Sequence, residues 1–236
     1  PLHMLLIEGV KGGQELHRRA RHLKIELIFF LFERRGRCGH HTRYGVGVGG
    51  RLGPRSLDVA DRLAVEAFAA EVVQTHGAVH AIFNNAGVTV VDSVENQSYE
   101  DFSWLMNINF WGVVHGTQAF LPHLRETGDG HIVNISSVFG LVSIPTQSAY
   151  NASKFGVRGF TDSLRMELEI DPCGVSSTTV HPGGVKTNIA RNARTDESII
   201  VGGADPAEFA DDFERLARTT PDRAAGQILR AVERNR

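Results

Sequence analysis

Cysteine is scarce in this chain: Cys38 and Cys173 are the only two among 236 residues. Two thiols make no disulfide framework, and no CxxC spacing is present. A reducing, cytoplasmic setting is therefore expected. The eleven histidines include no HExxH spacing, and the adjacent pair His40-His41 is of the kind that decorates loops, so no metal is expected. Charge of one sign is missing too. Twenty-five Lys and Arg face 27 Asp and Glu, for a formal net charge of −2. That balance gives no electrostatic argument for nucleic acid or an anionic membrane. The basic cluster Arg34, Arg35 and Arg37 is too short for a binding tail. Long apolar runs are also absent. The longest, Ile25 to Phe32, is interrupted by Glu26 and falls well short of the ~20 residues a membrane span needs. It is instead expected to form a buried strand. The start, Pro1-Leu2-His3-Met4, lacks a basic region followed by an apolar core, so no signal peptide is expected.

What remains is an ordinary globular composition, 42% hydrophobic and 22% charged. The length suits a single large domain over residues 1–236. From its middle onward the chain alternates short apolar runs with longer amphipathic ones. Val79 to Phe83, Gly130 to Ile135 and Val175 to Val180 are expected strands. Tyr99 to Arg125 and Ala149 to Ile170 are expected helices, the second with Phe155, Leu164 and Leu168 on its apolar side. Thr220-Pro221 supplies a hydroxyl N-cap and a first-turn proline for a last helix. This alternation predicts an α/β fold, a doubly wound parallel sheet with helices on both faces. Ligands of such sheets bind at the carboxyl ends of the strands. Met4 to Ile7 is the expected first strand and Ile25 to Phe32 the second. Gly36 to Gly53 is expected to be an irregular loop, and Asn188 to Arg218 a mobile flap with short helices.

The chemistry-bearing pattern is Tyr150-Asn151-Ala152-Ser153-Lys154, with Ser137 thirteen positions before Tyr150. A phenol and an ammonium four residues apart share one helix face. A cation beside a phenol favours the phenolate and lowers its pKa, which tunes it for proton transfer near neutrality. Ser137 is placed to hold the oxygen on which that proton is gained or lost. A solitary YxxxK is ordinarily a solvated surface pair, so the argument needs the other motifs.

Those motifs resemble the short-chain dehydrogenase/reductase family, from about Ser56 to Thr187. Asn84-Asn85-Ala86-Gly87 matches its NNAG, Asn109-Phe110-Trp111-Gly112 its NxxG, and Pro182-Gly183-Gly184-Val185-Lys186-Thr187 its PGxVxT. Ser137, Tyr150 and Lys154 match its triad at the family's spacing. The resemblance implies a Rossmann-like fold and an NAD(P)-dependent oxidoreductase acting on a secondary alcohol or ketone. Tyr150 becomes the proton donor or acceptor, and Lys154 its support and the partner of the nicotinamide ribose. Ser137 becomes the donor to the reacting oxygen, and Asn109 the holder of a relay water. Asn85, Ala86, Gly87, Pro182, Gly183 and Thr187 become the cofactor's walls, and Asp58 its adenine contact. A homodimer or homotetramer built on the two long helices is implied as well.

The resemblance weakens at the front. The family's glycine-rich loop finds only Gly9 and Gly13 here, with Glu8 and Glu15 at two of its other positions. Such glycines let the backbone approach a pyrophosphate at a helix N-terminus, and a carboxylate there opposes it. The same register puts Glu33 at the end of the second strand, where an acid binds the ribose diol and favours NAD. Arg34 and Arg35 follow and would suit the 2′-phosphate of NADP. The cofactor is therefore NAD or NADP, with Glu33 tilting the choice to NAD. The atypical first 55 or so residues fit either divergence or a shifted reading frame. No counterpart of the family's seventh strand appears before Arg236, which implies truncation. The degraded loop also admits a second reading, a catalytically silent member of the fold that senses cofactor or binds a partner.

Overall fold

The computed structural model describes residues 27–34, 40–46, 55–195 and 206–234. Met4 to Ile7, Gly9, Gly13 and the run that follows them lie outside the described residues. Strands β1 (Leu27–Arg34), β2 (His40–Val46), β3 (Arg55–Leu57), β4 (Ala81–Asn84), β6 (Gly130–Ile135) and β7 (Val175–Val180) form one sheet in the order β3-β2-β1-β4-β6-β7. Strands β1, β4, β6 and β7 run parallel, as the strand–helix alternation requires. A second, two-stranded sheet pairs β5 (Val90–Val91) with β8 (Arg194–Thr195).

One sequence expectation changes at the front. The run read as a second strand lies directly beside β4, with Phe30 in register with Asn84. The run read as an irregular loop contains β2, which pairs antiparallel with β1 from Ile28↔Val46 to Arg34↔His40. Its signal was present: Thr42, Tyr44 and Val46 alternate with His41, Arg43 and Gly45, a period of two. The abundance of Arg and Gly concealed it. Glu33 sits one residue before the end of β1, opposite His41.

Among the described residues, six α-helices accompany the strands: α1 (Arg62–His76), α2 (Tyr99–Met106), α3 (Gly112–Thr127), α4 (Ser148–Ile170), α5 (Pro206–Leu216) and α6 (Pro221–Glu233). Thr220 caps α6 as the sequence predicts, accepting from Arg223 N at 3.3 Å with Pro221 in the first turn. The core joins Val65, Phe68 and Val72 of α1 to Phe120 and Leu124 of α3. Ile82 and Ile132 of the sheet and Leu164 and Leu168 of α4 complete it. Phe68 meets Phe120 edge to face at 6.1 Å, a favoured aromatic geometry.

Helix α4 explains how the site is placed. Tyr150, Lys154, Val157, Thr161, Leu164 and Leu168 recur every three or four residues and are all buried. Tyr150 and Lys154 therefore lie on the same stripe that packs the helix on the sheet. Phe155 is one position off that stripe and 40% exposed, so it does not join the apolar side as expected. The predicted long helix over Tyr99 to Arg125 is interrupted by a π-helical turn, Asn107–Trp111, closed by Gly112 N donating to Asn107 O.

Candidate active site

The carboxyl ends of β4, β6 and β7 deliver the motifs to one rim. Asn84 aligns with Asn134, and Ile135 with Val180. Beyond the strands, Ser136 N donates to Val180 O at 2.8 Å and Val138 N to Pro182 O at 2.9 Å. His181 Nδ1 lies 3.0 Å from Ser137 O. These bonds tie the Ser137 turn to the Pro182-Gly183 turn, although Pro182 lies 45 positions after Ser137.

Ser137 caps a short 3-10 turn (Val138–Gly140), its hydroxyl accepting from Phe139 N at 3.1 Å. The same hydroxyl stands beside the Tyr150 phenol. The Phe139 ring meets that of Tyr150 edge to face at 6.2 Å. Lys154 Nζ lies 5.6 Å from the centre of the Tyr150 ring and donates to Ile135 O at 2.9 Å. Tyr150 and Lys154 are both buried, and burial governs both titrations. It pushes the Tyr150 phenol up, with the neighbouring Ser137 hydroxyl opposing. It pulls the Lys154 ammonium down to about 8. The sequence argument expected the cation to lower the phenol. In the protein alone desolvation outweighs that attraction, because removing the site from water penalises the charged form of each group.

Asn109 sits in the π turn and is fully buried. Its Oδ1 accepts from Val88 N at 2.8 Å, and its Nδ2 donates to Val88 O at 2.9 Å and to Ser153 Oγ at 3.3 Å. The expected water-holding side chain is thus engaged in bracing the exit of the NNAG turn against α4. A π turn advances the backbone by an extra residue per turn, which aims Asn109 at Val88 while α3 continues on its own face.

Sequence reasoning missed several positioning groups. Asn151, inside the YxxxK pattern, donates to Phe139 O and Val142 O, each at 3.1 Å, and so pins the turn carrying Ser137. Gln147 is buried; its Oε1 accepts from Thr89 Oγ1 at 2.8 Å and its Nε2 donates to Val90 O at 3.2 Å. Thr146 next to it holds φ +66°, strained for a β-branched residue, and its carbonyl accepts from Asp92 N at 3.0 Å. The available signal was the run of amide side chains just before and within α4, too polar for a packed helix start unless each has a partner.

The residues expected to border a dinucleotide fall into three groups. Asn85, Ala86 and Gly87 form one run, and its Gly87 stands beside Asn109 and Lys154. A Cβ on Gly87 would lie 3.6 Å from both Asn109 Oδ1 and Lys154 Nζ, so its absence leaves a cradle against the ammonium. An ammonium has three donors, and Ile135 O takes one. That donor set and cradle fit the ribose end of a nicotinamide nucleotide. Pro182, Gly183 and Thr187 lie on the rim, with open space around Gly183 and Thr187 exposed. Asp58 stands apart at the end of β3, its carboxylate accepting from Ala60 N at 2.9 Å. Gly9 and Gly13 are outside the described residues.

Comparison with known proteins agrees with this geometry. A family model described as short chain dehydrogenase matches residues 40–198. SadH of Mycobacterium tuberculosis, an oxidoreductase by name, is 47% identical over 192 residues, which span 81% of this chain and 68% of SadH. A short-chain dehydrogenase/reductase from Burkholderia phymatum, solved in complex with NAD, superposes with a TM-score of 0.67 at 30% identity. That match covers 76% of this chain and 67% of the other. An alcohol dehydrogenase from Thermococcus sibiricus, solved with 5-hydroxy-NADP, gives 0.54 at 26% identity over 70% and 68% of the two chains. With the sheet order, the rim and the Ser137, Tyr150 and Lys154 cluster already in place, the chain belongs to the short-chain dehydrogenase/reductase family.

Proposed function

We propose that this protein is an NAD(P)-dependent oxidoreductase that interconverts a secondary alcohol and a ketone, with Tyr150 as the general acid and base. The observation that carries the reading is the buried cluster itself: a serine hydroxyl beside a phenol, with an ammonium beside the phenol ring. Burying a cation is unfavourable. Its retention here on the stripe that packs α4 needs a chemical reason.

Nicotinamide nucleotide, when bound, supplies or accepts the hydride. The chain's residues handle the proton and the oxygen. Tyr150 gives its hydroxyl proton to the carbonyl oxygen in reduction and takes the alcohol proton in oxidation. Burial keeps the resting phenol protonated, so the reductive direction finds its acid loaded. Ser137 donates to the same oxygen as charge develops on it, a fixed dipole that needs no rearrangement. Lys154 stabilises the phenolate left behind and offers its remaining donors to the ribose. Asn109 holds the Val88 wall in place behind Lys154, and a relay water there is a further part of the proposal. Asn85, Ala86, Gly87, Pro182, Gly183 and Thr187 border the nicotinamide half, and Asp58 and Glu33 serve the adenosine half. The dinucleotide is NAD or NADP, with Glu33 favouring NAD.

The substrate is a small alcohol or carbonyl compound, in a cytoplasmic setting. Among the described residues no helix is long and apolar enough to cross a membrane. Trp111 and Phe155 are exposed on the elements carrying Asn109 and Tyr150, which supports a homodimer or homotetramer built there. Calorimetric titration with NADH and with NADPH tests the reading. One of the two is expected to bind, and failure of both would favour a catalytically silent member of the fold.

A further inference from the structure

We propose that Arg194 is a positioning residue that holds the run from Thr187 to Thr195 against the rim and thereby fixes the nicotinamide half of the site; this rests on the oxidoreductase reading above.

Arg194 lies on β8 and reaches α2. Its Nη1 donates to Asp101 Oδ1 at 2.6 Å, and its guanidinium carbon lies 3.6 Å from the centre of the Trp104 ring. A guanidinium stacked on an indole while paired with a carboxylate uses both features that distinguish Arg from Lys. The partners are prearranged. Asp101 is held by the α2 N-cap, with Ser98 Oγ donating to Asp101 Oδ2 at 3.1 Å and accepting from Asp101 N at 3.0 Å. Trp104 packs against the core. The side chains of Arg194 and Asp101 are 28% and 34% exposed, so solvent screens this pair less than the exposed pairs within single helices.

The latch is joined to the reacting groups by a continuous set of bonds. Arg194 N donates to Thr89 O at 3.1 Å, and Val90 pairs with Arg194 in the small sheet. Thr89 and Val90 are the two residues that hold Gln147, three positions before Tyr150. In the other direction, Ala193 N donates to Ala190 O at 3.2 Å and Asn192 N to Asn188 O at 2.9 Å, which folds the chain back to Thr187. The run has other ties: Arg191 pairs with Asp211 and Glu214, all three well exposed, Ala190 is buried, and Lys186 N donates to Thr219 O at 2.9 Å just before Thr187. Arg194 makes the half-buried ion pair of the run, the one that joins it to Thr89 and Val90.

The test compares wild type with Arg194→Gln, Arg194→Lys and Asp101→Asn by hydrogen exchange and by calorimetry. The calorimetric probes are the reduced dinucleotide that the wild type binds and ADP-ribose, or its 2′-phosphate, which lacks the nicotinamide. In Arg194→Gln the amides of Asn192, Ala193 and Arg194 are expected to exchange about 10-fold faster while those of α4 do not change. Dinucleotide affinity is expected to fall about 10-fold with ADP-ribose affinity unchanged, because misplacement acts only on the nicotinamide side. Asp101→Asn is expected to show the same split, and Arg194→Lys to recover it in part. A general loss of stability would weaken both ligands together. Unchanged exchange in Arg194→Gln and Asp101→Asn overturns the proposal, and so does an equal effect on the two ligands. A wild type that binds neither dinucleotide refutes the oxidoreductase reading instead, and the nicotinamide claim falls with it.

Discussion

Lys154 shows what the site demands of a single residue. Its pKa is drawn from 10.5 to about 8 by burial. A depressed folded-state pKa means stability that is complete above the unfolded value and lost as pH falls towards the folded one. At neutral pH the whole penalty is present, about 3 kcal/mol for that separation. Lys154→Met, which keeps the stem and removes the charge, is therefore expected to raise the melting temperature at pH 7 while abolishing turnover. Calorimetric melting checks it, and a lower melting temperature would contradict the burial argument. The same value sets a pH limit. Carbonyl reduction by the wild type is expected to weaken as pH rises through about 8, where Lys154 gives up its charge. A rate profile flat across that range would oppose a role for the ammonium. Ser137 came from the family resemblance. That Tyr150 and Lys154 share a face was legible because a four-residue spacing fixes a helix face. The direction of the Tyr150 shift was not, because sequence shows the neighbouring cation but not the absence of water.

At the scale of elements, the π turn and the 3-10 turn do the placing. Asn109→Ala leaves Val88 N–H and C=O without their side-chain partner in a buried setting. It is expected to lower stability by about 2–4 kcal/mol, measured by denaturant unfolding, with lost activity even where the protein stays folded. Gly140 marks a close approach of the Ser137 turn to α4. A Cβ there would stand 2.7 Å from Lys154 O. Gly140→Ala is expected to push the turn away, lowering stability by about 1–3 kcal/mol and reducing turnover by moving Ser137. Strands β6 and β7 match the sequence reading because β-branched runs between turn residues leave little choice. The π turn did not show, since its cause is a tertiary demand: Asn109 must meet Val88, which no local periodicity encodes. Strand β2 was hidden by its Arg- and Gly-rich composition.

Across the whole molecule, the sheet carries a polar cluster beside its hydrophobic core. His131 on β6 is buried between Ser176 Oγ, 2.7 Å from Nδ1, and Thr178 Oγ1, 2.9 Å from Nε2. Burial draws it down to about 4 from 6.5. Global stability is therefore expected to be complete above 6.5 and to fall by up to about 3 kcal/mol as pH drops through about 4. His131→Gln should flatten that part of the acid-unfolding curve, and an unchanged curve would place the acid sensitivity elsewhere. The overall plan, parallel strands whose carboxyl ends gather the motifs, followed from strand–helix alternation. The substrate did not, because it depends on the shape of a rim assembled from four separate segments. The account rests on one central claim, that Tyr150 transfers the proton in a nicotinamide-dependent reaction. The most direct measurement follows the reduced-nicotinamide absorbance of wild type and Tyr150→Phe side by side, with a panel of secondary alcohols and ketones and with folding checked by circular dichroism. The wild type is expected to turn over at least one of them, and folded Tyr150→Phe none. Undiminished turnover by Tyr150→Phe would contradict the account.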